Sequence, residues 1–530
     1  MPCNSRWYSR HMASTSTAPH PLHLLLPQLG TEEDFEILRE TLRSSGFHNQ
    51  GICQRLEIPS IVDFVPKCDG RKTAVEIEYP VDAIIRLVLD GEFVSEQVLE
   101  SKLPAGSAAA LERLGILARS PARPGELFST VTMYPAEETL LLAGDRPGTP
   151  DGSPYRVPND VVYPGAIENT RHFLASLPQT PCDALLDIGT GSGVATLSAA
   201  SRYAKHAWGV DIAARSVRFA EFNRRMNGIE NATILEGDLY EPVRDLTFDR
   251  IVTHPPYVPA PKIKMIFSDG GADGEEILAG IIQGLPRHLR TGGRFHTLVL
   301  GADCEGEAFE DRIRKWLGPQ QGEFDLAMVS HSLRSPLEFV ARALAKGKVG
   351  LPELKFWIET WNRRKVEFLF YGSILIRRHA GGRQAITARV LSALGYGPAH
   401  QGWLLDWETD CEDPAFRARL MDWHPELPSD AELKVLHRLQ EGRFAPVAFA
   451  VETGTPFNSE VRCKDWMVAV LSECTGESTW RDHFERAKGL GLISPETTDD
   501  EFAGILRALA GQGILRIRER PLPPDARPVR

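Results

Sequence analysis

Two periods of apolar residues divide this chain. Leu185, Leu186 and Ile188 form a short apolar run ahead of a glycine cluster, which predicts a strand buried on both faces. Val194 to Tyr203, rich in Ala and Leu, predicts the helix that follows, and Ala207 to Val210, Ala232 to Leu239 and Phe248 to Val252 predict three more strands. Strands alternating with helical stretches predict a parallel α/β sheet. Upstream, Ala83 to Leu89, Val94 to Leu99 and Ala108 to Leu114 predict three short helices. The strand-like segments Ile116 to Ala118 and Phe128 to Met133 follow, giving a winged-helix outline. Downstream, Val366 to Ile376, rich in β-branched and aromatic residues, predicts a closing hairpin. Trp466 to Leu471 and Phe502 to Leu509 predict helices, and Gly511 to Ile517 repeats the helix, glycine and strand order of Leu111 to Leu117.

This pattern divides the chain into a tail at 1–30, a winged-helix-like module at 31–145, a central sheet domain at 146–385 and a C-terminal α+β module at 386–530 that ends in a mobile tail from Glu519. The chemistry collects in the third part. Gly189, Gly191 and Gly193 let a backbone turn approach a ligand closely, and the following helix offers its amides to an anionic group. The second strand ends in Asp211, placed to accept two ribose hydroxyls, and the third reaches Asp238, placed for an adenine amino group. The fourth runs into His254, Pro255, Pro256 and Tyr257. All four strand ends meet at one edge, where open α/β sheets bind ligands.

With these motifs the chain resembles the class I S-adenosylmethionine-dependent methyltransferases. Within them it is most similar to the Asn-Pro-Pro-Tyr branch of release-factor glutamine methyltransferases and small ribosomal RNA guanine methyltransferases. Asp269 to Gly274 and Leu289 to Phe295 are similar to the acidic-glycine loop and the helix-to-strand turn of those enzymes, and the likeness spans roughly residues 155–380. The resemblance implies a Rossmann-like, seven-stranded sheet and S-adenosyl-L-methionine as cofactor. It implies that Asp187, Gly189, Thr190, Gly191 and Gly193 hold the methionine part, Asp211 with Ile212 the ribose, and Asp238 with Leu239 the adenine. His254, Pro255, Pro256 and Tyr257 would face the acceptor, a nitrogen or oxygen nucleophile of a protein side chain or small molecule. Ribosomal RNA is the alternative acceptor, and a non-catalytic cofactor-binding scaffold is the alternative class.

His254 stands where the branch has Asn. Neutral imidazole offers one acceptor and one donor where an amide offers more, so His254 can hold a different nucleophile, take its proton, or only prop the loop. Tyr257 offers a planar wall or packs its own loop. Trp357 and Trp361 read as core more than as substrate mouth, and Lys262 and Lys264 as solvated more than as contacts for an acidic partner.

A net charge of −11 argues against broad nucleic-acid binding, and the helix in the recognition position carries only Arg113 as a base beside Glu112. That module is expected to form or cover the acceptor cleft. Eight scattered cysteines without a C-x-x-C pair point to reduced thiols, no metal and a cytoplasmic setting. No apolar run reaches membrane-spanning length, so no membrane partner is expected.

Overall fold

The computed structural model describes residues 25–61, 72–136, 140–146, 148–150, 157–163, 165, 168–262, 264–345, 349–393 and 395–524. The proposed tail up to residue 24 and the last six residues lie outside the described residues. The chain forms two compact units, residues 1–319 with 334–369, and residues 320–333 with 370–529.

In the first unit, Thr31 opens helix α1 (Glu32–Ser44) with a capping box, its hydroxyl accepting from Asp34 N while the Asp34 carboxylate accepts from Thr31 N. Phe35, Leu38 and Leu42 recur at helical spacing and are buried. After α2 (Asn49–Leu56) come α3 (Pro80–Ile84), continued as a π-turn to Leu89, strand β1 (Val94–Ser95), α4 (Glu96–Lys102), α5 (Ser107–Arg113), β2 (Leu117–Arg119) and β3 (Glu126–Ser129). The three strands order β1-β3-β2. Helix α4 begins after its cap Ser95, whose hydroxyl accepts from Val98 N. Arg113 is held by Asp34 at 2.7 Å. Residues 25–30 already belong to this module, since Gln28 N donates to Leu114 O and Leu26 and Leu29 pack on its core.

A hairpin of β4 (Val131–Pro135) and β5 (Leu141–Asp145) leads to α6 (Glu168–Ala175) and then the sheet itself: β6 (Cys182–Ile188), α7 (Val194–Arg202), β7 (Ala204–Asp211), α8 (Ala214–Met226), β8 (Ala232–Glu236), β9 (Phe248–Thr253), α9 (Glu276–His288) and β10 (Leu289–Cys304). These five strands order β10-β9-β6-β7-β8, all parallel. The chain order reverses beside β6, so β6, β7 and β9 end together at the switch point of the sheet.

The winged-helix segment and the sheet share one hydrophobic core. Phe219, Phe222 and Met226 of α8 cluster with Phe35, Leu38 and Leu42, and the Phe35 and Phe222 rings lie 5.3 Å apart. Asn223 of α8 and Asn227, which caps its C-terminus, complete the hydrogen bonding of β5. Asn223 accepts from Ala143 N and donates to Ala143 O, and Asn227 does the same at Leu141. The buried pair Arg215–Asp145 adds a bidentate contact.

Helices α10 (Phe309–Trp316), α11 (Pro336–Ala345) and α12 (Leu351–Arg363) complete this unit. Trp357 and Trp361 are buried, as read from the sequence, and Phe339 meets both rings edge-on.

The second unit carries strands β11 (Phe324–Arg334), β12 (Val366–Arg378) and β13 (Thr387–Leu391) in the order β13-β11-β12, with β13 parallel to β11. The expected hairpin over Val366 to Ile376 is instead one 13-residue strand that runs through Gly372 and Ser373; a Cβ on Gly372 would lie 2.1 Å from Val329 O, so that glycine serves a close backbone approach and not a turn. With β13 the count is eight strands where seven were expected. Helices α13 (Pro398–Cys411) and α14 (Pro414–Leu420) precede β14 (Pro425–Glu426) and a meander of β15 (Glu432–Gln440), β16 (Arg443–Thr453) and β17 (Ser459–Cys463). Then follow α15 (Asp465–Ser472), α16 (Trp480–Gly489), α17 (Asp499–Gly511) and β18 (Arg516–Ile517), which pairs with β14. The stretch from Glu519, expected to be mobile, is tied at its start: Glu519 accepts from His424 N, and Arg520 pairs with Asp410.

Candidate active site

The glycine turn joins β6 to α7. Gly189, Gly191 and Gly193 all hold positive φ, at 75°, 58° and 88°, a region that disfavours any Cβ. Their surroundings differ. A Cβ on Gly189 or Gly191 would meet no atom within 4 Å, whereas one on Gly193 would press Leu197 and Ala220 at 3.1–3.3 Å. The first two glycines therefore form an open cradle, and the third allows α7 to approach α8.

Below the cradle, Asp187 is buried and its Oδ2 accepts from Thr190 Oγ1 (2.7 Å), Thr196 Oγ1 (2.9 Å) and Thr196 N (3.2 Å). Thr190 Oγ1 and Thr196 Oγ1 also lie 2.8 Å apart. Both Asp187 and Thr190 thus fix the shape of the turn. Gly209 is part of the same device: a Cβ there would lie 2.7 Å from Thr196 Oγ1 and 2.9 Å from Thr190 Oγ1. Sequence reading passed over Gly209 because nothing in a strand pattern marks a close approach from the neighbouring turn.

Asp211, at the end of β7, accepts from Gly191 N through Oδ2 and from Ala213 N through Oδ1, both at 2.9 Å. The Ser216 side chain is a third hydrogen-bond partner, and a carboxylate has about four acceptor positions, so about one remains for a further donor. Burial raises the pKa of Asp211 and brings that of Asp187 up to about 6. Neither has an ion-pair partner among the described residues, and burial favours the uncharged form of both. The residues present fit S-adenosylmethionine: the open turn at Gly189 and Gly191 leaves room for its amino-acid end, and Asp211 would have an acceptor position for a ribose hydroxyl. Ile212 is 59% exposed beside Asp211, an apolar face open to a planar ring. Asp238 is exposed, and Leu239 is half-buried with φ 46° in the turn where Glu241 N donates to Asp238 O.

The corner after β9 is built from two motifs. Thr253 Oγ1 donates to Ile188 O, locking β9 to β6 just before His254. Val258 N donates to Ser268 O, Gly270 N to Val258 O and Ala260 N to Gly271 O, so the acidic-glycine loop zips along the Pro-Pro-Tyr segment. Asp269 closes that loop by accepting from Lys264 N and Met265 N. A Cβ on Gly270 would meet Pro256 O at 2.7 Å and Tyr257 Cα at 2.9 Å, and one on Gly274 would meet Tyr257 O at 2.6 Å. Trp357 Nε1 donates to Pro259 O at 2.9 Å, and Lys264 pairs with Glu353 while Lys262 stays exposed.

His254 lies flat against Phe173 of α6, with centroids 5.1 Å apart and 17° between the planes, and Tyr257 is 6.0 Å away. Its ring keeps one partly exposed edge, but Nε2 is sealed from solvent and has no hydrogen-bond partner. That atom's burial governs protonation, and it pushes the pKa down to about 4. His254 is therefore neutral at physiological pH. Asn169, on the same helix as Phe173, donates to Tyr257 Oη at 3.4 Å. Sequence reading missed Phe173 and Asn169 because they precede the first sheet strand and belong to no motif.

Among the described residues, no group of three or more His, Cys, Asp or Glu could hold a metal ion, and no helix is long and apolar enough to cross a membrane.

Residues 167–308 match the family model of the methyltransferase small domain. A Methanocaldococcus jannaschii protein provisionally named a protein N5-glutamine methyltransferase is 39% identical over 138 residues, which cover 25% of this chain and 68% of that one. The release factor glutamine methyltransferase of Moorella thermoacetica is 28% identical over 260 residues, covering 44% of this chain and 87% of its own. The ribosomal protein uL3 glutamine methyltransferase of Bradyrhizobium diazoefficiens is 30% identical over 165 residues, 28% of this chain and 51% of its own. With the matching family, the open glycine cradle and the acidic strand ends in place, this chain belongs to the class I S-adenosylmethionine-dependent methyltransferases, in their methyltransferase small branch.

Proposed function

We propose that the enzyme methylates a side-chain nitrogen of a protein acceptor, with the carboxamide of glutamine as the leading candidate. The observation that carries this reading is the sealed, neutral His254 Nε2 at the end of β9, beside the glycine turn and held flat by Phe173. The names of the relatives support the same acceptor class, since they act on glutamine in release factors and in ribosomal protein uL3. Both of those proteins are translation components, and an acceptor of that kind would place the enzyme in the cytoplasm.

S-adenosylmethionine supplies a methyl group on a positively charged sulfur that departs as a neutral thioether. In this reading Gly189 and Gly191 give the donor's amino-acid end backbone contact, Asp211 takes the ribose, and Ile212 with Leu239 borders the adenine. Asp238 offers its carboxylate at the adenine edge. Alignment of the nucleophile then dominates the rate. The acceptor nitrogen must be held by one of its N–H groups with its lone pair turned to the methyl carbon. A neutral imidazole nitrogen suits that task once the entering acceptor displaces what covers Nε2, because it accepts one N–H and brings no charge to repel a sulfonium. With a pKa of about 4, His254 is a weak base before the new C–N bond forms. The nitrogen becomes strongly acidic once the bond exists, and it then releases its proton to His254 or to solvent. Pro255 and Pro256 stiffen the corner, and Tyr257 supplies a flat wall for the planar amide.

The test is incubation with methyl-labelled donor and four acceptors offered separately: a bacterial release factor, ribosomal protein uL3, ribosomal RNA and a small-molecule extract. Label on a glutamine of either protein, located by mass spectrometry, is the expected result. Label confined to RNA or metabolites, or failure to bind the donor in calorimetry, overturns the reading.

A further inference from the structure

Strand β15 is the outer strand of the meander β15-β16-β17, and its nine residues, Glu432 to Gln440, are all exposed. The pairing register with β16 fixes which side chains share a face. Leu433 is opposite Val451, Val435 opposite Phe449, His437 opposite Pro446 and Leu439 opposite Phe444. The register shift between Leu436 and His437 adds one residue, Val447, to β16 and leaves the alternation of β15 intact. One face of the ribbon is thus apolar but for His437 and carries no Asp, Glu, Lys or Arg. At its base, Val451 and Phe449 pack on the C-terminal core. Toward the tip, Leu439 and Phe444 are 60% and 73% exposed, and Val435 stays open as well. The other face carries Glu432, Lys434, Leu436, Arg438 and Arg443.

We propose that this ribbon is an arm that joins a second copy of the chain, β15 pairing antiparallel with the partner's β15 about a two-fold axis at Val435. Three observations fix the occupant and the register. The outer edge of β15 presents a free row of backbone donors and acceptors, which an identical strand satisfies. Centring on Val435 places Glu432 opposite the partner's Arg438 and repeats that attraction across the axis; neither side chain has an ion-pair partner among the described residues. The chosen register also carries Leu439 about 13 Å past the axis, beyond the base of the partner's ribbon. The open apolar tip of each arm is thereby brought onto the other copy's body, where its uncharged face meets the composition usual for a homodimer core.

Sedimentation of the full-length protein at micromolar concentration tests this. Wild type is expected to be a dimer. Arg438→Glu, a change at an exposed position, should weaken association at least 10-fold, and the exchange Glu432→Arg with Arg438→Glu should restore it. Val435→Cys should form a disulfide-linked dimer on mild oxidation that wild type, with its eight native cysteines, does not. Circular dichroism and donor binding should be unchanged in all three variants. A monomeric wild type, or a dimer indifferent to Arg438→Glu and without the Val435→Cys link, overturns the proposal.

Discussion

At the residue scale, the site depends on a few polar atoms whose partners are now known. Asp211 fastens the glycine turn to β7 by accepting from Gly191 N and Ala213 N. Asp211→Ala would leave both amides without an acceptor and remove the proposed ribose contact. Hydrogen bonds to a charged group are worth about 1.5–3 kcal/mol each, so donor affinity should fall on the order of 10- to 100-fold in calorimetry. Affinity within twofold of wild type would remove Asp211 from the site. Asp187 adds a pH dependence of definite sign. Its folded pKa, about 6, lies above the unfolded value, so below pH 6 it is protonated and the cradle loses a negative charge. Donor affinity should therefore drop as pH falls from 7 to 5, more steeply for the sulfonium donor than for its uncharged thioether product. Equal pH dependence for the two ligands would mean that Asp187 does not act through charge. His254 gives the opposite expectation for turnover. Being already neutral well above its pKa of about 4, it should leave kcat flat between pH 6 and 8, whereas an inflection near 6.5 would place the ring in water.

At the element scale, what the sequence made legible was what a local pattern can carry. The glycine spacing, the acids closing β7 and following β8, and the winged-helix segment are local signals, and each was readable. The union of Asp269 to Gly274 with the Pro-Pro-Tyr corner was not, because the two segments are zipped by backbone hydrogen bonds that leave no residue pattern. Nor did β12 announce itself as one strand, since an apolar run of that length suits a strand or a hairpin equally well. The zipped loop leads to a prediction that separates acceptor from donor. Gly270→Ala inserts a methyl 2.6 Å from Gly274 O, 2.7 Å from Pro256 O and 2.9 Å from Tyr257 Cα, all backbone atoms, so the loop and the corner must shift against each other. The variant should lose turnover by 10-fold or more while donor affinity changes less than twofold. A second element-scale consequence concerns β10. His296 is buried there with both ring nitrogens unpartnered, and its folded pKa is well below 6.5. The unfolded chain then binds the extra proton as pH falls below 6.5, so this residue's stability contribution is whole above that value and is lost on acidification. The slope for one histidine is at most about 1.4 kcal/mol per pH unit. His296→Leu should flatten the fall in melting temperature between pH 6.5 and 5, and an unaltered slope would assign acid sensitivity elsewhere.

At the scale of the whole molecule, the segment before the sheet raises the question of what the catalytic fold needs in order to stand. The sequence divides the chain near residue 145, yet the buried side chains do not separate there. Phe219, Phe222 and Met226 of α8 lie in the same cluster as Phe35, Leu38 and Leu42 of α1, and Arg39 donates to Arg225 O at 2.8 Å. Removing residues 1–139 would strip α8 of this cover and expose three large apolar side chains on a helix that also supports the glycine turn through Asn223, which donates to Ser192 O. Each fully buried side chain of this size contributes about 1.5–3 kcal/mol, so the loss reaches several kcal/mol, comparable with the whole stability of a domain. A chain beginning at Leu140 should therefore aggregate or bind an apolar dye, and it should fail to bind the donor although every proposed cofactor residue is present. Phe222→Ala in the full-length protein offers the graded version. It should lower the melting temperature strongly, by the 3–5 kcal/mol typical of a buried Phe truncation, while leaving donor affinity at 10 °C within a few-fold of wild type. If the chain from Leu140 instead folds cooperatively and binds donor as wild type does, the shared core is dispensable and the methyltransferase sheet stands alone.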